Sequence, residues 1–275
     1  MQSACGLFIW AATARRFIQE GGGPFADERL RMILKDSNVT DDLSKDSSSS
    51  EDSGTDDQLE ILPEKRLDSI YLTVLKRPVR RYKKYERKKW YALMKEILGA
   101  IVLLYSPLSA TSLARLLLIP AEQIYQTLDE LHSILDVLQH PNEDVRLHHP
   151  SFRDFLLNKD RCRDANLWVD KSQAHAAIAD RCIQLLSRLL KQDICGVGHF
   201  GTSVHEIECE QLEHCILPEM QYACLYWTNH LAKSGIQLRD YDKVHEFLKK
   251  HFLHWLEALS WMGNVSKGIY AISSL

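Results

Sequence analysis

The sequence predicts a mainly α protein, made of a helical bundle, a winged-helix domain with a small β-wing, and an irregular α-helical array. Apolar residues recur at helical spacing in almost every segment outside one acidic stretch. Hydrophobic residues make up 45% of the 275 residues, which is enough to build substantial cores. The seven cysteines form no CxxC pair and suit buried thiols in a reducing compartment.

The first helix is predicted to start at Met1, with Leu7, Ile9, Trp10, Thr13, Phe17 and Ile18 on one face. Its apolar stretch, residues 6–14, is shorter than the roughly 20 residues of a membrane span. No positive charge precedes that stretch, which argues against a secretory signal. A second helix over 25–35 carries apolar Leu30, Ile33 and Leu34, and a third after Pro63 carries Leu67, Ile70, Tyr71, Val74 and Leu75.

Two charged stretches interrupt this first domain, predicted as residues 1–89. Residues 37–60 form an acidic insert with little to bury, and we expect it to be disordered. Residues 76–89 hold nine basic residues and one acid. Within them, Arg80, Arg81, Lys83 and Lys84 are candidates for contact with phosphate or an acidic partner. The alternative is a solvated helix face, neutralised by the acidic insert.

The order of predicted elements within residues 90–160 indicates a winged helix. Helices are expected over 91–104, over 112–118 after the cap at Ser109, and over 121–135. Residues 136–139 and 145–148 predict the two strands of the wing, and a helix over 149–157 follows. The third helix would be the DNA reader, but it carries Glu122, Asp129 and Glu130 without Lys or Arg, which favours packing on protein instead.

Residues 161–275 predict the helical array. Its helices are expected over 170–191, 204–215, 218–233, 241–262 and 265–272, with tryptophans as packing anchors: Trp168, Trp227, Trp255 and Trp261. The sequence contains no GxxxxGK[ST], GxSxG or HExxH motif, so no catalytic residue is assigned and this chain is not expected to be an enzyme. The GVGHFG stretch at 196–201 follows a predicted helix rather than a strand and is not a dinucleotide fingerprint.

A cluster of metal-ligand types also lies in this array: Cys195, His199, His205, Cys209, His214 and Cys215. The spacings are mixed i,i+4 pairs rather than the tight pairs of structural zinc modules. No metal site is therefore predicted.

Several stretches occur in a characteristic order: GLFIWAATARRFI, LHHPSFRDFLL, QYACLYW and HFLHWLEALSWMG. In this the chain resembles the region after the nucleotide-binding core of fungal STAND-class, NACHT-type signalling NTPases related to vegetative-incompatibility proteins. The resemblance implies a switch gated by ADP and ATP. Protein partners or self-association are expected for this chain, and the cysteine pattern predicts the cytoplasm. The composition, charge and motifs described above predict no membrane, metal or nucleic-acid partner. No cofactor is expected for this chain alone.

The resemblance also implies site residues. His149 of the HPSF stretch would contact the phosphate of bound ADP, while His148 is the neighbour not chosen; the alternative is that His149 only caps the helix that starts at Pro150. Gly6, Leu7 and Phe8 would lie near the adenine, with Phe8 standing where related proteins carry proline. Since this segment is expected late in an ATPase module, Met1 would fall in mid-domain, and the chain is predicted to be a truncated, non-catalytic regulatory fragment.

Two other functions remain open from the sequence. One is a winged-helix DNA-binding protein that uses residues 76–89 as its phosphate contact, with affinity that falls steeply as salt rises. The other is a protein-interaction scaffold whose partner binds the helical array at 161–275.

Overall fold

The computed structural model describes residues 2–38, 63–137, 143–198 and 209–273. Within these ranges the chain forms twelve α-helices, one short 3-10 helix and a single two-stranded sheet. The prediction of a mainly α fold is therefore confirmed. Residues 39–60 of the predicted acidic insert lie outside the described ranges.

The helices follow one another along the chain with these bounds: α1 Gln2–Gln19, α2 Gly22–Asn38, α3 Pro63–Lys76, α4 Lys84–Leu103, α5 Ala110–Leu117, α6 Ala121–Asp129, α7 Ser151–Leu157, α8 Lys171–Leu189, α9 Cys209–Cys215, α10 Pro218–Ser234, α11 Lys243–Trp261 and α12 Val265–Ser273. The 3-10 helix spans Pro78–Arg81 between α3 and α4. Strand β1 is Leu135–Asp136 and strand β2 is Arg146–Leu147.

The chain divides into two compact units. The first consists of Met1–Lys95, Thr127–Val137 and Arg146–Val169, and the second of Glu96–Gln126, Leu138–Val145 and Asp170–Leu275. Both are interleaved in sequence. The predicted domains at 1–89, 90–160 and 161–275, including the winged helix, stay a prediction.

In the first unit α1, α2 and α3 pack together. All five apolar residues predicted for α3 are buried: Leu67, Ile70, Tyr71, Val74 and Leu75. A side chain at Gly6 of α1 would meet the Cβ of Pro63 at 3.2 Å, so the glycine permits the close approach of α1 to the start of α3.

Two helices of the first unit expose apolar residues that the pattern placed on a buried face. In α1, Thr13 and Phe17 are buried, while Leu7 is 42% exposed. In α2, Ile33 is buried but Leu30 and Leu34 are exposed. The apolar stripes are wider than the surface that the neighbouring helices cover. Residues 37 and 38 also extend α2, where the acidic insert was predicted to begin.

The third predicted helix ends early. α6 stops at Asp129 rather than at residue 135, because the chain tightens into turns, with the amides of Leu131 and Ile134 bonding three residues back. The apolar stripe is nevertheless buried throughout: Ile124, Leu128, Leu131 and Leu135. Strand β1 then pairs antiparallel with β2. This wing is shorter than predicted, and residues 138–142 lie outside the described ranges.

Other element ends also differ from the sequence prediction. α4 begins at Lys84, inside the basic segment, and α7 begins at Ser151. Ser109 caps α5 as predicted, accepting a hydrogen bond from the amide of Ser112 at 3.2 Å.

The core of the second unit is built on α8, α10 and α11. The rings of Trp227 and Trp255 meet edge to face with centroids 5.6 Å apart, and both are fully buried. The indole of Trp255 donates to the carbonyl of Cys224 at 3.0 Å. Trp261, in the same unit, and Trp168, in the first unit, are only half-buried. Two of the four predicted anchors are thus core residues.

The last two helices of the second unit pack closely at one glycine. A Cβ on Gly268 of α12 would overlap the Cδ1 atom of Leu259 in α11, which is itself buried. Glycine at this position therefore sets how near α12 lies to α11.

Candidate functional site

A partly open cavity of about 220 Å³ lies within the first unit, next to the residue that the resemblance singled out. Its walls come from α1, from α3, from the turn after α6, and from the chain at the start of α7. The lining residues are Phe8, Ile9, Ala12, Thr13, Arg16, Tyr71, Ser133, Ile134, His148, His149 and Phe152.

His149 is held in the cavity wall by hydrogen bonds to Ser151, which in turn bonds to Tyr71. Its Nδ1 atom accepts from the backbone amide of Ser151 at 3.1 Å and lies 2.7 Å from the Ser151 Oγ. That hydroxyl lies 2.8 Å from the hydroxyl of Tyr71, a buried residue of α3. An amide nitrogen can only donate, so Nδ1 must accept and the ring proton sits on Nε2. His149 thereby makes the capping contact that the alternative interpretation named.

The neighbouring histidine uses its ring differently. His148 also lines the cavity, but its Nε2 atom lies 2.9 Å from the carbonyl oxygen of His132 and must donate to it. For the Nε2 atom of His149, the described part of the chain provides no hydrogen-bond partner. Of the two histidines, His149 is therefore the one with a donor available to a ligand.

The cavity contains polar groups that the sequence did not single out. The Oγ of Ser133 is buried and has no hydrogen-bond partner among the described residues. Arg16 is exposed and lines the same wall as Phe8 and Ala12. These three residues are spaced by four, which puts them on one face of α1 and is the signal that could have found Arg16. Ser133 lies in a turn and had no comparable signal.

The structure places the three predicted adenine residues in different surroundings. Phe8 lines the cavity and is 77% exposed. Gly6 instead packs against Pro63, and Leu7 is outside the lining set. The position of Gly6 has a structural explanation that needs no ligand.

A buried charged cluster lies elsewhere in the first unit. Arg29 of α2 donates to the carbonyl of Phe17 and, at 3.2 Å, to a carboxylate oxygen of Glu20. Burial raises the pKa of Glu20 above its ordinary value, although Arg29 opposes the shift. Burial likewise lowers the pKa of the Arg29 guanidinium, and Arg77 adds to that effect. The Arg29 guanidinium lies 5.1 Å from the centre of the Phe17 ring.

The basic segment is partly neutralised by acids of its own unit. Lys76 pairs with Asp164 at 3.1 Å, and Arg77 and Arg81 both pair with Glu130, at 3.1 and 2.7 Å. Arg81, one of the four candidate phosphate contacts, is thus engaged. The other three, Arg80, Lys83 and Lys84, are exposed and have no ion pair within the described ranges.

The described residues contain no group of three or more His, Cys, Asp or Glu side chains that could hold a metal ion. Of the six residues considered for zinc, His199, His205 and the side chain of Cys209 lie outside the part that the structure describes. None of the described helices combines the length and apolar character needed to cross a membrane.

Comparison with known proteins gives one informative similarity. The chain is 26% identical over 205 residues to the vegetative incompatibility protein HET-E-1 of Podospora anserina. The match covers 66% of this chain and 15% of that protein. No protein-family model matches the chain, and no solved structure does.

Proposed function

We propose that this chain is a non-catalytic regulatory part of a NACHT-type STAND signalling NTPase, in which a winged helix and a helical array gate a nucleotide-dependent switch. The similarity to a vegetative incompatibility protein supports the assignment of this chain to that kind of signalling protein. The support for the mechanism comes from one observation, the hydrogen bonding of His149.

The amide of Ser151 fixes Nδ1 of His149 as an acceptor, which leaves Nε2–H as a donor at the cavity. Such a donor can bond an oxygen of the terminal phosphate of ADP, and the bond strengthens when the acceptor is charged. Exchange for ATP would change the position of the terminal phosphate and break this contact. The bond would therefore favour the ADP state and hold the switch closed.

The dimensions of the cavity fit one part of a nucleotide. Its volume, about 220 Å³, is below the roughly 300–1,000 Å³ of pockets that enclose a whole small molecule. Arg16, Thr13 and the unpartnered Ser133 hydroxyl would add polar contacts to a phosphate group. The rest of the nucleotide would be held by a core with a Gly-rich phosphate loop, a motif that this sequence lacks.

We expect this chain alone to hydrolyse no ATP and to bind ADP only weakly, with a dissociation constant in the millimolar range. The test is titration with ADP, followed by the ¹⁵N signals of the histidine rings. The Nε2 signal of His149 should shift, and His149→Ala should abolish binding. His148→Ala is the matched control and should leave binding unchanged, because its donor is already bonded to His132. Turnover above background, micromolar affinity, or equal effects of both variants would contradict the proposal.

In a protein with the complete core, His149→Ala is expected to favour the active state. The readout is signalling output without stimulus, with His148→Ala again as the control. An unchanged output in the His149 variant would count against the assigned role.

The proposal also holds that the protein acts in the cytoplasm, through protein partners or self-association. Deleting residues 161–275 should abolish capture of a partner if the helical array is the docking surface. The competing DNA-binding function predicts affinity for duplex DNA that falls with salt and with charge reversal at Arg80, Arg81, Lys83 and Lys84. The pairing of Arg77 and Arg81 with Glu130 weighs against it, since this carboxylate offsets one positive charge of the segment and engages both guanidinium groups.

A further inference from the structure

The start of α4 carries a group of cations that the proposed switch does not use. Four of them are exposed and have no ion pair among the described residues: Lys83, Lys84, Arg87 and Lys88. Arg81 differs, because Glu130 pairs with it at 2.7 Å. We call the four unpaired residues the cationic face.

The geometry of α4 places the cationic face on one side of the helix axis. Lys83 is the residue before the first turn, and its carbonyl accepts from the amide of Arg87 at 3.0 Å. Each residue of an α-helix turns by about 100° and rises by about 1.5 Å. The four positions therefore fall within an arc of about 140° and a length of roughly 8 Å, whereas Lys89 lies outside this arc.

The acid of this segment is already engaged. Glu86 lies outside the arc of the cationic face and accepts from the amide of Lys83 at 2.9 Å and from the hydroxyl of Tyr85 at 3.0 Å. Each carboxylate oxygen thus has a donor within the first turn. The Nε atom of Arg87 donates to the carbonyl of Tyr82 at 2.8 Å, which holds the guanidinium group beside the start of the helix.

This arrangement of charge works against the stability of the helix. Lys83 and Arg87 are like charges four residues apart, and so are Lys84 and Lys88, and such pairs repel each other. Cations in the first turn also oppose the helix dipole, which favours acids at this end. Residues that lower the stability of their own element are expected at functional sites, where a ligand compensates for them.

The composition and size of the cationic face indicate the chemistry of its ligand. Three of its four residues are lysines, which bind phosphate as point charges, whereas planar carboxylates are bound best by the fork of arginine. A face roughly 8 Å long matches a compact molecule with several neighbouring phosphates. Contact with duplex DNA would instead need cations spread along the phosphates of the strands.

We propose that the cationic face binds an inositol polyphosphate, either free or as the headgroup of a membrane lipid. Its ammonium and guanidinium groups donate hydrogen bonds to phosphate oxygens, and charge on both partners strengthens these bonds. Bound phosphates also remove the repulsion among the four cations. The site is distinct from the cavity beside His149, whose lining contains none of these residues.

The first experiment titrates the full chain with inositol 1,4,5-trisphosphate in a calorimeter. We expect a dissociation constant in the micromolar range that rises with salt, because salt screens exposed charges. Lys84→Glu reverses one charge of the cationic face and should weaken binding at least about tenfold. Lys89→Glu is the matched control, an equal charge change at an exposed residue outside the arc, and should weaken binding less than about threefold.

The fold of the variants can be checked independently of binding. Lys84→Glu should not lower Tm, because an acid in the first turn suits the helix dipole. Lys88→Glu reverses a charge at the other end of the face and should weaken binding to a similar degree. His149→Ala should bind inositol trisphosphate as tightly as the wild type, so this site and the proposed nucleotide contact can fail separately.

The second experiment identifies the source of the ligand. Phosphatidylcholine vesicles that contain phosphatidylinositol 4,5-bisphosphate are compared with vesicles of equal charge that contain phosphatidylserine. Retention of the chain on the first kind only, reversed by free inositol trisphosphate, supports the lipid headgroup. Binding of the free compound without retention on either kind supports the soluble ligand.

Three results would overturn the proposal. Equal effects of Lys84→Glu and Lys89→Glu, or equal retention on both kinds of vesicle, would mean general attraction of negative charge. Tighter binding of duplex DNA with the same dependence on Lys84 would favour the competing DNA-binding function. Absence of all binding would favour the solvated helix face neutralised by the acidic insert.

Discussion

Each compact unit contains a hydrogen-bonded chain of tyrosine and histidine, and the two chains differ in what lies at their ends. In the first unit, Tyr71, Ser151 and His149 are linked in order, and the last ring faces a cavity. In the second, the hydroxyl of Tyr222 lies 2.7 Å from Nε2 of His230, whose Nδ1 lies 2.8 Å from Nδ1 of His175.

The backbone N–H of Tyr105 also donates to the Tyr222 oxygen at 3.2 Å, so this hydroxyl bonds to a second group of the same unit. Both ring nitrogens of His230 are bonded, and the side chain is fully buried. Burial, with the neighbouring His175, lowers the pKa of His230 to about 3.

Hydrogen-bonded tyrosine and histidine side chains thus have different surroundings in the two units. The ring of His230 is satisfied on both sides and shielded from water, which is the condition of a structural histidine. His149 is satisfied at one nitrogen only and has a donor at an open surface. The bonded groups of the second unit stabilise the fold, whereas those of the first unit leave one ring nitrogen of His149 without a partner among the described residues, which is the contact that the proposed function uses.

The largest expected effect comes from removing the buried ring. His230→Ala would leave a void and deprive Tyr222 and His175 of a partner, and it should lower the free energy of unfolding by about 3 kcal/mol. Urea denaturation measures this change. A loss below about 1 kcal/mol would mean that His230 is not a core residue, since surface substitutions have effects of that size.

The next effect concerns pH and has a defined sign. The pKa of His230 is lowered from 6.5 to about 3 on folding, so the unfolded state binds more protons between these values. The contribution of His230 to the free energy of unfolding is fully present above pH 6.5 and is lost as the pH falls toward 3. Between pH 7.5 and 5 the loss from this group should be about 2 kcal/mol.

His230→Gln is the control for the pH effect because glutamine does not titrate. Its unfolding free energy should depend less on pH over the same range. A residual slope of the same sign is expected from His251, whose pKa is also lowered, first by burial and then by Lys250. An unchanged slope in the glutamine variant would refute the assignment to His230.

Ser151→Ala tests the hydroxyl that links Tyr71 to His149 in the first unit. It leaves the buried Tyr71 hydroxyl without its partner, and the expected loss of stability is about 1 kcal/mol. The backbone amide of residue 151 still donates to His149 Nδ1, so the ring proton should stay on Nε2. Nitrogen NMR of the imidazole measures the tautomer, and a switch to Nδ1–H would show that the hydroxyl, not the amide, fixes it.

The smallest expected effect is that of His149→Ala on stability. The contacts of the ring Nδ1 atom with the Ser151 amide and hydroxyl are lost, at a cost of about 0.5–1 kcal/mol. Thermal unfolding beside His230→Ala measures the difference between the two histidines. Similar losses in both variants would remove the distinction between a structural and a ligand-facing ring.

The sequence was most informative where apolar spacing was long and regular. The five buried residues of α3 and the buried stripe from Ile124 to Leu135 follow directly from a period of 3.6. Periodicity cannot detect that the backbone tightens after Asp129 while the same side chains stay buried. Nor can it say which apolar residues stay partly exposed, which is why the pattern places Leu7, Leu30 and Leu34 on buried faces.

The candidate site was predictable in part for a similar reason. Arg16 shares a helical face with Phe8 and could have been found from spacing alone. Tyr71, Ser133 and His149 come from three separate segments, and only tertiary structure brings such residues together. The tautomer of His149 depends on one amide hydrogen bond, which no sequence pattern encodes.

The close contact at Gly268 can be tested genetically. Because a single methyl group there collides with buried Leu259, Gly268→Ala acts on the contact between α12 and α11 while leaving every polar group of the protein in place. We expect such an allele to be silent at low temperature and defective on warming. A second-site change of Leu259 to a smaller residue should suppress it, which would identify the contact by inheritance alone.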